Sequence, residues 1–345
     1  MFPYEIVRLT HAILPDVASA YESNGLFNPA ATRLHDGSIA VYPRMDGQDG
    51  RARIGMAMWD ARTNRLSGRT LALEPSRFWE FGRKHGGVED PRVVFIPVLG
   101  KFVMTYVAFG PVGPKLAVAV SEDGRSWGKL GPVHFRVESD PDVDLNLYHN
   151  KNGSFFPEPI MSPSGEMSLA FIHRPKWNLD FIRQGLGATR PLGVHRSESM
   201  WVSYAPLKNL TEDASRMLEL REHSEILVPK REDENIKIGL GAPPIRVPEG
   251  WLLIYHGVSA AVQGEHLTYS HCAMGAILDA EDPTVELSRS DNPLLTPSTL
   301  AEVNGNVPNV VFPAGIVQEG DGRFVLFYGA GDLAIGTATV SKLAV

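Results

Sequence analysis

Residues 309–332 read NVVFPAGIVQEGDGRFVLFYGAGD. A short apolar run opens at Pro313, the pair Asp321-Gly322 supplies a turn, and a second run rich in Phe, Val and Tyr follows. An Asp-Gly pair between two strand-like runs is a strong local signal for a β-hairpin. The stretch ends at Asp332, just after two glycines that leave the backbone open to close approach.

The same arrangement occurs five times along the chain. The opening prolines are Pro29, Pro91, Pro157, Pro243 and Pro313, and the turn pairs are Asp36-Gly37, Leu99-Gly100, Ser164-Gly165, Glu249-Gly250 and Asp321-Gly322. Each proline precedes the glycine of its turn by 7 to 9 residues. Each hairpin is also followed by a further strand-like run, at 53–60, 115–124, 199–206, 272–279 and 334–342. Five units of about four antiparallel strands predict an all-β, five-bladed β-propeller, with a two-sheet sandwich as the alternative.

This repeat accounts for most of the chain, so residues 1–345 are expected to form a single propeller domain. The gap between the third and fourth hairpins is the longest. It contains the best helix candidate, LKNLTEDASRMLELREH at 207–223. A surface insertion is therefore predicted around 176–235.

Composition restricts the partners. The chain carries 33 Lys and Arg against 40 Asp and Glu, a formal charge of -7, which argues against nucleic acid or an anionic membrane as the main partner. The single cysteine, Cys272, lies in an apolar run and is expected to pack as a small hydrophobe. The N-terminal stretch lacks the pattern of a signal peptide, and no long apolar run is present, so a cytoplasmic protein is expected.

A propeller brings distant polar residues together, because the first strand of every blade lines the central channel. Residues near the start of the first strand and the end of the second should meet at one channel mouth. The residues in these positions are Asn28, Arg44, Asp90, Lys151, Arg174, Lys237, His256 and Asp332. So many cations repel one another and lose hydration unless an anion is present, which predicts a bound phosphate, sulfate or carboxylate. Each residue taken singly has an ordinary alternative as a solvated surface charge.

Two acidic residues stand where a predicted inner strand begins. In GGVEDPRVVF, at 86–95, Glu89 and Asp90 stand at the mouth of a strand. Pro91 should hold Asp90 extended, and alternation along an extended chain should send the two acids to opposite sides. Arg92 has the same parity as Asp90 and is expected to face the site with it, while Glu89 is expected to pair with a nearby cation. Asp90 and Asp332 at one mouth suggest sugar chemistry.

Several ordered motifs resemble those of glycoside hydrolase family 130, the β-mannoside phosphorylases and related β-mannosidases. They are FNPAA, VEDPRV, NKNGSFFPE, HRP, KIGLGAPPI, GWLLIYHGV, NVVFPAG and FYGAGD, and they span Phe27 to Asp332. The family fold is a five-bladed β-propeller, in agreement with the repeat. Departures include Lys151 where many phosphorylases have arginine, Pro159 where the family has lysine, and an insertion at MSPSG.

The resemblance implies a role for each position. Asp90 matches the single catalytic acid, which protonates the leaving oxygen through a sugar hydroxyl. Mannose-binding residues correspond to Asn28, Arg44 and Asp332, with Arg92 expected at the same site. Phosphate ligands correspond to Lys151, Arg174, Lys237 and His256. No metal and no cofactor are implied; inorganic phosphate is a co-substrate, and family members are often oligomeric, so a homo-oligomer is possible.

Retained cations favour phosphorolysis, because phosphate is already an anionic nucleophile and needs no base. The expected reaction is inverting phosphorolysis of β-1,2- or β-1,4-linked manno-oligosaccharides or mannosyl-glucose, giving α-mannose 1-phosphate. The alternatives are an inverting β-mannosidase, with Glu158 or another carboxylate as base, and a non-catalytic sugar-binding propeller.

Overall fold

The computed structural model describes residues 2–343 apart from 10, 83–85, 140–141, 178–192, 209, 264–265 and 321. Nearly every regular element is a β-strand, and the chain is a five-bladed β-propeller. The Asp321 position of the last predicted turn lies outside the described residues.

The first two blades are continuous four-stranded antiparallel units. After β1 (Tyr4–Arg8), blade 1 consists of β2 (Gly25–Arg33), β3 (Ile39–Asp46), β4 (Arg51–Asp60) and β5 (Arg65–Leu73). Blade 2 consists of β6 (Gly86–Ile96), β7 (Lys101–Gly110), β8 (Gly113–Ser121) and β9 (Gly128–Pro132). A short parallel pairing of β4 with β6 joins the two sheets.

The third and fourth blades have inner strands broken near their prolines. Blade 3 follows three two-residue strands, β10 (His134–Phe135), β11 (Glu138–Ser139) and β12 (Asp142–Val143). Its strands are β13 (His149–Phe155), β14 (Ile160–Met161), β15 (Met167–Lys176), β16 (Met200–Pro206) and β17 (Glu219–Leu227). Blade 4 consists of β18 (Lys237–Leu240), β19 (Ile245–Val247), β20 (Gly250–Gln263), β21 (His266–Leu278) and β22 (Glu286–Arg289). Pro157 and Pro243 lie in the two breaks. In all five blades the inner strand begins before its proline, so the expectation that it opens at the proline is wrong.

Blade 5 is closed by the start of the chain. It consists of β23 (Val311–Gly320), β24 (Arg323–Ala330) and β25 (Ala334–Lys342), and β1 is its fourth strand. The pairing of β1 with β25 is antiparallel and runs from Tyr4 opposite Lys342 to Arg8 opposite Ala338. The ring therefore closes through backbone hydrogen bonds between residues from opposite ends of the chain.

The sequence prediction of five hairpins and five following strands is confirmed. The inner hairpins are β2–β3, β6–β7, β13–β15, the β18 and β19 pair with β20, and β23–β24. The third strands β4, β8, β16, β21 and β25 lie on the predicted runs. Cys272 is buried within β21, as expected of a small apolar side chain.

The predicted helix at 207–223 is wrong. The structure has a short 3₁₀ helix, Ala214–Leu218, and then strand β17. Buried residues at Leu220, His223 and Ile226 imitate a helical spacing. The strand departs from the usual alternation at Glu222, whose φ is 56°, and the pairing of β17 with β16 shifts register at the same place. This irregularity accounts for the spacing of three between buried residues.

The stretch 176–235, expected as a surface insertion, contains β16 and β17, the two outer strands of blade 3. Residues 178–192 of that stretch lie outside the described residues. The other helices of the described chain are equally short: 3₁₀ turns Phe78–Glu80, Pro97–Leu99, Leu145–Leu147 and Glu232–Glu234, and α1 (Leu300–Val303).

A buried Glu–Tyr–cation group recurs in blades 2, 4 and 5. The groups are Glu80 with Tyr106 and Lys129, Glu234 with Tyr255 and Arg289, and Glu302 with Tyr328 and Arg8. In each, the tyrosine on the second strand donates its hydroxyl proton to the glutamate at 2.6 to 2.8 Å. The glutamate lies on a short helix ahead of the blade, and the cation comes from the fourth strand. Each group thus ties a blade's inner and outer strands to the segment that leads into it.

Candidate functional site

The inner strands of the first three blades each contain a β-bulge. The pairing slips between Phe27 and Ala30, between Glu89 and Arg92, and between Lys151 and Ser154. Inside the bulges, Asn28, Asp90 and Asn152 have φ values of 45°, 48° and 58°. Asn and Asp are the non-glycine residues that tolerate this left-handed conformation best. A bulge changes the direction in which the bulged residue's side chain points. In each of these three blades the bulge therefore turns one polar side chain toward the central channel.

This backbone corrects the expectation for Glu89 and Asp90. Asp90 is left-handed rather than extended, in spite of Pro91. Strict alternation is broken, and the two acids face the same guanidinium: Nη1 of Arg44 lies 3.4 Å from Oε2 of Glu89 and 3.5 Å from Oδ1 of Asp90. The predicted pairing of Glu89 with a cation is confirmed, since its Oε2 also lies 3.0 Å from Nζ of Lys151.

The surroundings of Asp90 favour its carboxylate form. The Asn28 side chain donates from Nδ2 to Oδ1 of Asp90 at 3.0 Å. Burial alone would raise the pKa of Asp90, but the charges of Arg44 and Lys151 and the Asn28 hydrogen bond outweigh it and lower that pKa. Within the described part of the chain, Oδ1 of Asn28 is buried without a hydrogen-bond partner, an acceptor still available to a ligand hydroxyl.

Arg44 enters the site from the end of β3. Its Nε and Nη2 form a fork with the two carboxylate oxygens of Asp46, each at 3.0 Å. Its guanidinium carbon lies 5.0 Å from the centre of the Phe27 ring. Burial would lower the pKa of Arg44, yet Glu89, Asp46 and Asp90 raise it well above the usual value. The planar group is thereby fixed in orientation between the acids.

Asp332 follows β24 and has a left-handed backbone, with a φ of 49° next to 62° at Gly331. Burial raises the pKa of its carboxyl group to about 6, with Arg44 opposing and Asp90 reinforcing the shift. Two carboxyl groups thus share one channel mouth with opposite pKa shifts. Such divergence is typical of sites that handle protons.

Arg92 is placed differently from the other predicted substrate ligands. It is 1% exposed, and its guanidinium donates to the carbonyl oxygens of Gly241 and, at 3.0 Å, of Pro91. Its carbon lies 5.5 Å from the centre of the Phe312 ring. Burial lowers the pKa of Arg92 to about 10. The structure therefore shows Arg92 bracing blade 2 against blade 4 beside Asp90.

A second group of cations comes from blades 3 and 4. Lys151 of β13 and Arg174 of β15 stand directly opposite each other in the antiparallel pairing. Arg174 is buried; its Nε donates to Oδ1 of Asn152 at 2.9 Å, and its Nη1 forms a close ion pair with Glu198. Burial lowers the pKa of Arg174, and Glu198 opposes this shift.

Lys237 and His256 complete the group from blade 4. Burial, reinforced by Arg174, lowers the pKa of Lys237 to about 7. His256 is 1% exposed, and burial together with Arg174 and His271 lowers its pKa well below the ordinary histidine value. In the described chain, Nδ1 of His256 has no hydrogen-bond partner. In both groups burial and neighbouring cations disfavour the charged form, and a nearby anion would favour it.

The predicted residues therefore fall into two adjoining groups, linked by Glu89 between Arg44 and Lys151. Sequence reasoning missed four members: Asn152, Lys176, Glu198 and His271. Lys176 has the same parity as Arg174 on β15, and Asn152 precedes a glycine in NKNGS, so both left a signal. Glu158 is exposed and lies between β13 and β14.

Among the residues that the structure describes, no group of three or more His, Cys, Asp or Glu is placed to hold a metal ion. In the same residues, none of the helices is long and apolar enough to cross a membrane.

Comparisons with known proteins agree with this geometry. The chain is 30% identical over 342 residues to a 1,2-β-oligomannan phosphorylase of Thermoanaerobacter sp. (strain X514), covering 94% of this chain and 93% of that protein. It is 27% identical over 328 residues to a β-1,4-mannooligosaccharide phosphorylase of Ruminococcus albus, covering 92% and 82%. The solved β-1,2-mannobiose phosphorylase of Listeria innocua, in complex with β-1,2-mannobiose, superposes with a TM-score of 0.71 at 20% identity over 97% and 96% of the two chains.

The family model for glycoside hydrolase family 130, described as β-1,4-mannooligosaccharide phosphorylase, matches residues 6–344. Since this model and the 1,2-β-oligomannan phosphorylase both match nearly the whole chain, the chain belongs to glycoside hydrolase family 130.

Proposed function

We propose that the chain is a β-mannoside phosphorylase that cleaves β-linked manno-oligosaccharides with inorganic phosphate and releases α-mannose 1-phosphate. One observation carries the proposal: the basic residues Lys151, Arg174, Lys237 and His256 adjoin the Asn28–Asp90–Arg44 group at one channel mouth. The first set suits a phosphate and the second a sugar with its acid. We further propose that the propeller acts as one catalytic domain.

Phosphate is the anion that the cation group fits. A phosphate dianion accepts several charge-assisted hydrogen bonds at once, and its charge would offset the burial that depresses the pKa of Lys237 and His256. Held in this way, a phosphate oxygen is positioned for in-line attack on the anomeric carbon.

The sugar side supplies orientation and the proton. Asn28, Arg44 and Asp332 offer hydrogen bonds to mannose hydroxyls next to the cleaved bond. Asp90 gives its proton, through a sugar hydroxyl, to the departing glycosidic oxygen. The bond from phosphate oxygen to the anomeric carbon forms as the glycosidic carbon–oxygen bond breaks, with inversion.

Phosphate binding also prepares the acid. Lys151 is one of the cations that lower the pKa of Asp90. A dianion beside Lys151 offsets that charge and favours the protonated carboxyl that the reaction needs. The enzyme would thus carry a proton on Asp90 chiefly when its nucleophile is already bound.

Inverting hydrolysis is the second candidate, and it needs a carboxylate base to activate water. Glu158 is exposed and lies in the break between β13 and β14, and Glu198 forms an ion pair with Arg174. The arrangement therefore favours phosphorolysis. This chemistry suits the cytoplasm, where phosphate is available and a phosphorylated product is retained. The homo-oligomer stays a prediction.

The test is to incubate the protein with β-1,2- and β-1,4-mannobiose, with and without phosphate, and to measure mannose 1-phosphate and free mannose. Phosphate-dependent mannose 1-phosphate is expected. Release of mannose alone, without need for phosphate, would identify a hydrolase. Asp90→Asn should lose about 10²- to 10⁴-fold in rate, whereas Glu158→Gln should stay active. Sugar binding without turnover would identify a non-catalytic propeller.

A further inference from the structure

Glu198 is a buried carboxylate in the middle of the cation group. It is 5% exposed and lies just ahead of β16. Its side chain forms a close ion pair with Nη1 of Arg174. A carboxylate repels phosphate, so its presence among phosphate ligands calls for an explanation.

The backbone of Glu198 is also tied to Lys237. The two residues form an isolated parallel bridge, and the N–H of Ile238 donates to the carbonyl oxygen of Glu198 at 3.1 Å. Glu198 thus joins the guanidinium from blade 3 to the first strand of blade 4. Any movement of Glu198 would displace both cations together.

The charges around Lys237 are otherwise unfavourable. The groups that face it are Arg174 and Lys176 on β15, Lys151 on β13, His256 on β20, His271 on β21, and Glu198. Glu198 is the negative member of that set, and it opposes the effects that lower the pKa of Lys237, Lys176 and Arg174.

We propose that Glu198 is a positioning residue of the phosphate site, which holds the Arg174 guanidinium in place and keeps the Lys237 ammonium group charged. The inference rests on the proposed function. Glu198 then has two opposing effects on phosphate binding. Its negative charge repels phosphate, and the same charge raises the protonated fraction of Lys237 near neutral pH. The relative gain in protonated Lys237 grows as pH rises through the pKa of that residue, whereas the repulsion of an anion of fixed charge does not change with pH, so a pH series with such an anion separates them.

The experiment measures sulfate binding by calorimetry at pH 6 and pH 8, without sugar, for the wild-type protein and Glu198→Gln, and phosphate binding for the wild type. Sulfate stands in for phosphate because it stays a dianion at both pH values, whereas the second ionisation of phosphate falls between them. At pH 6 Lys237 is largely protonated in the wild type, where its pKa is about 7, and the variant has lost a repulsion. At pH 8 the variant should have lost a larger share of the remaining Lys237 charge, relative to the wild type, than at pH 6. The ratio of Kd values, variant over wild type, should therefore rise about threefold or more from pH 6 to pH 8.

Glu198→Asp keeps the charge but withdraws it by one methylene group, so its ratio should rise less, and it carries the test if the glutamine variant does not fold. Glu166→Gln is the matched control, because it removes a carboxylate paired with Arg221 in a more exposed ion pair. Its ratio should not change with pH. A folded Glu198→Gln protein with a constant ratio would overturn the role of Glu198. A wild-type protein that binds no phosphate would instead overturn the proposed function, and this inference with it.

Discussion

Replacing Asp332 by asparagine should stabilise the empty protein while damaging its activity. The carboxyl pKa is about 6 in the folded protein against an ordinary value of 3.8. Asparagine removes the buried charge but still suits the left-handed backbone. The position would then have been kept for substrate binding at a cost in stability.

The size of the effect follows from the shift. A folded-state pKa raised above the unfolded value means that stability is present in full below the unfolded pKa and is lost as pH rises through the folded one. From 3.8 to about 6, the loss is about 3 kcal/mol at pH 7 and roughly half that at pH 5. With 345 residues and about 2.1 cal/mol/K of unfolding entropy per residue, 3 kcal/mol corresponds to a Tm shift of about 4 °C.

The assay is thermal unfolding of wild type and Asp332→Asn at pH 5 and pH 7, with mannoside turnover measured in parallel. The variant should have the higher Tm, by about 4 °C at pH 7 and about 2 °C at pH 5, and a raised KM for mannoside. Asp291→Asn removes an exposed carboxylate and should change stability by less than about 0.5 kcal/mol. A variant no more stable than wild type at pH 7, or a gain independent of pH, would refute the reasoning.

Two further perturbations test other parts of the structure. With a pKa of about 7, Lys237 loses its charge as pH rises, so kcat/KM for phosphate in wild type, relative to Lys237→Arg, should fall about fivefold from pH 7 to pH 8. A constant ratio would show that Lys237 does not titrate there. Tyr255→Phe removes a hydroxyl that donates to Glu234 at 2.6 Å and accepts from Arg289 at 2.7 Å, which should cost about 2 to 4 kcal/mol in unfolding experiments. Tyr269→Phe, at a half-exposed tyrosine, is the control, and equal losses in the two variants would contradict a special role for the buried group.

Much of the architecture could be predicted because hairpins leave local signals. A turn pair between two β-rich runs is visible without knowledge of the remainder of the fold, and its repetition identified the blades. The fourth strands were less visible. β1 pairs with β25 from the other end of the chain, so no local pattern marks it as part of blade 5. β17 lacks the regular alternation of a strand because of the irregularity at Glu222.

The site shows the same division. Equivalent blade positions predicted where Arg44, Arg174 and His256 would meet, since position along a strand is a local property. The direction of Asp90 could not be predicted, because a residue before proline ordinarily avoids helical conformations, and its left-handed turn depends on the surrounding bulge. No sequence motif marked Glu198 as part of the site. Its place there depends on an ion pair with Arg174 of blade 3 and a backbone bridge to Lys237 of blade 4.

Closure of the ring has a consequence for how the protein is made. The N–H of Leu26 in the first blade donates to the carbonyl oxygen of Leu333, just past the last inner hairpin, at 2.9 Å. Asn28 and Asp332 beside this seam are 304 positions apart in the sequence (332 − 28). Early blades can begin to fold while synthesis continues, but the proposed sugar site can be complete only after the ribosome has delivered the final blade. A translation product that stops before Asp332 would contain folded sheets and no complete binding site.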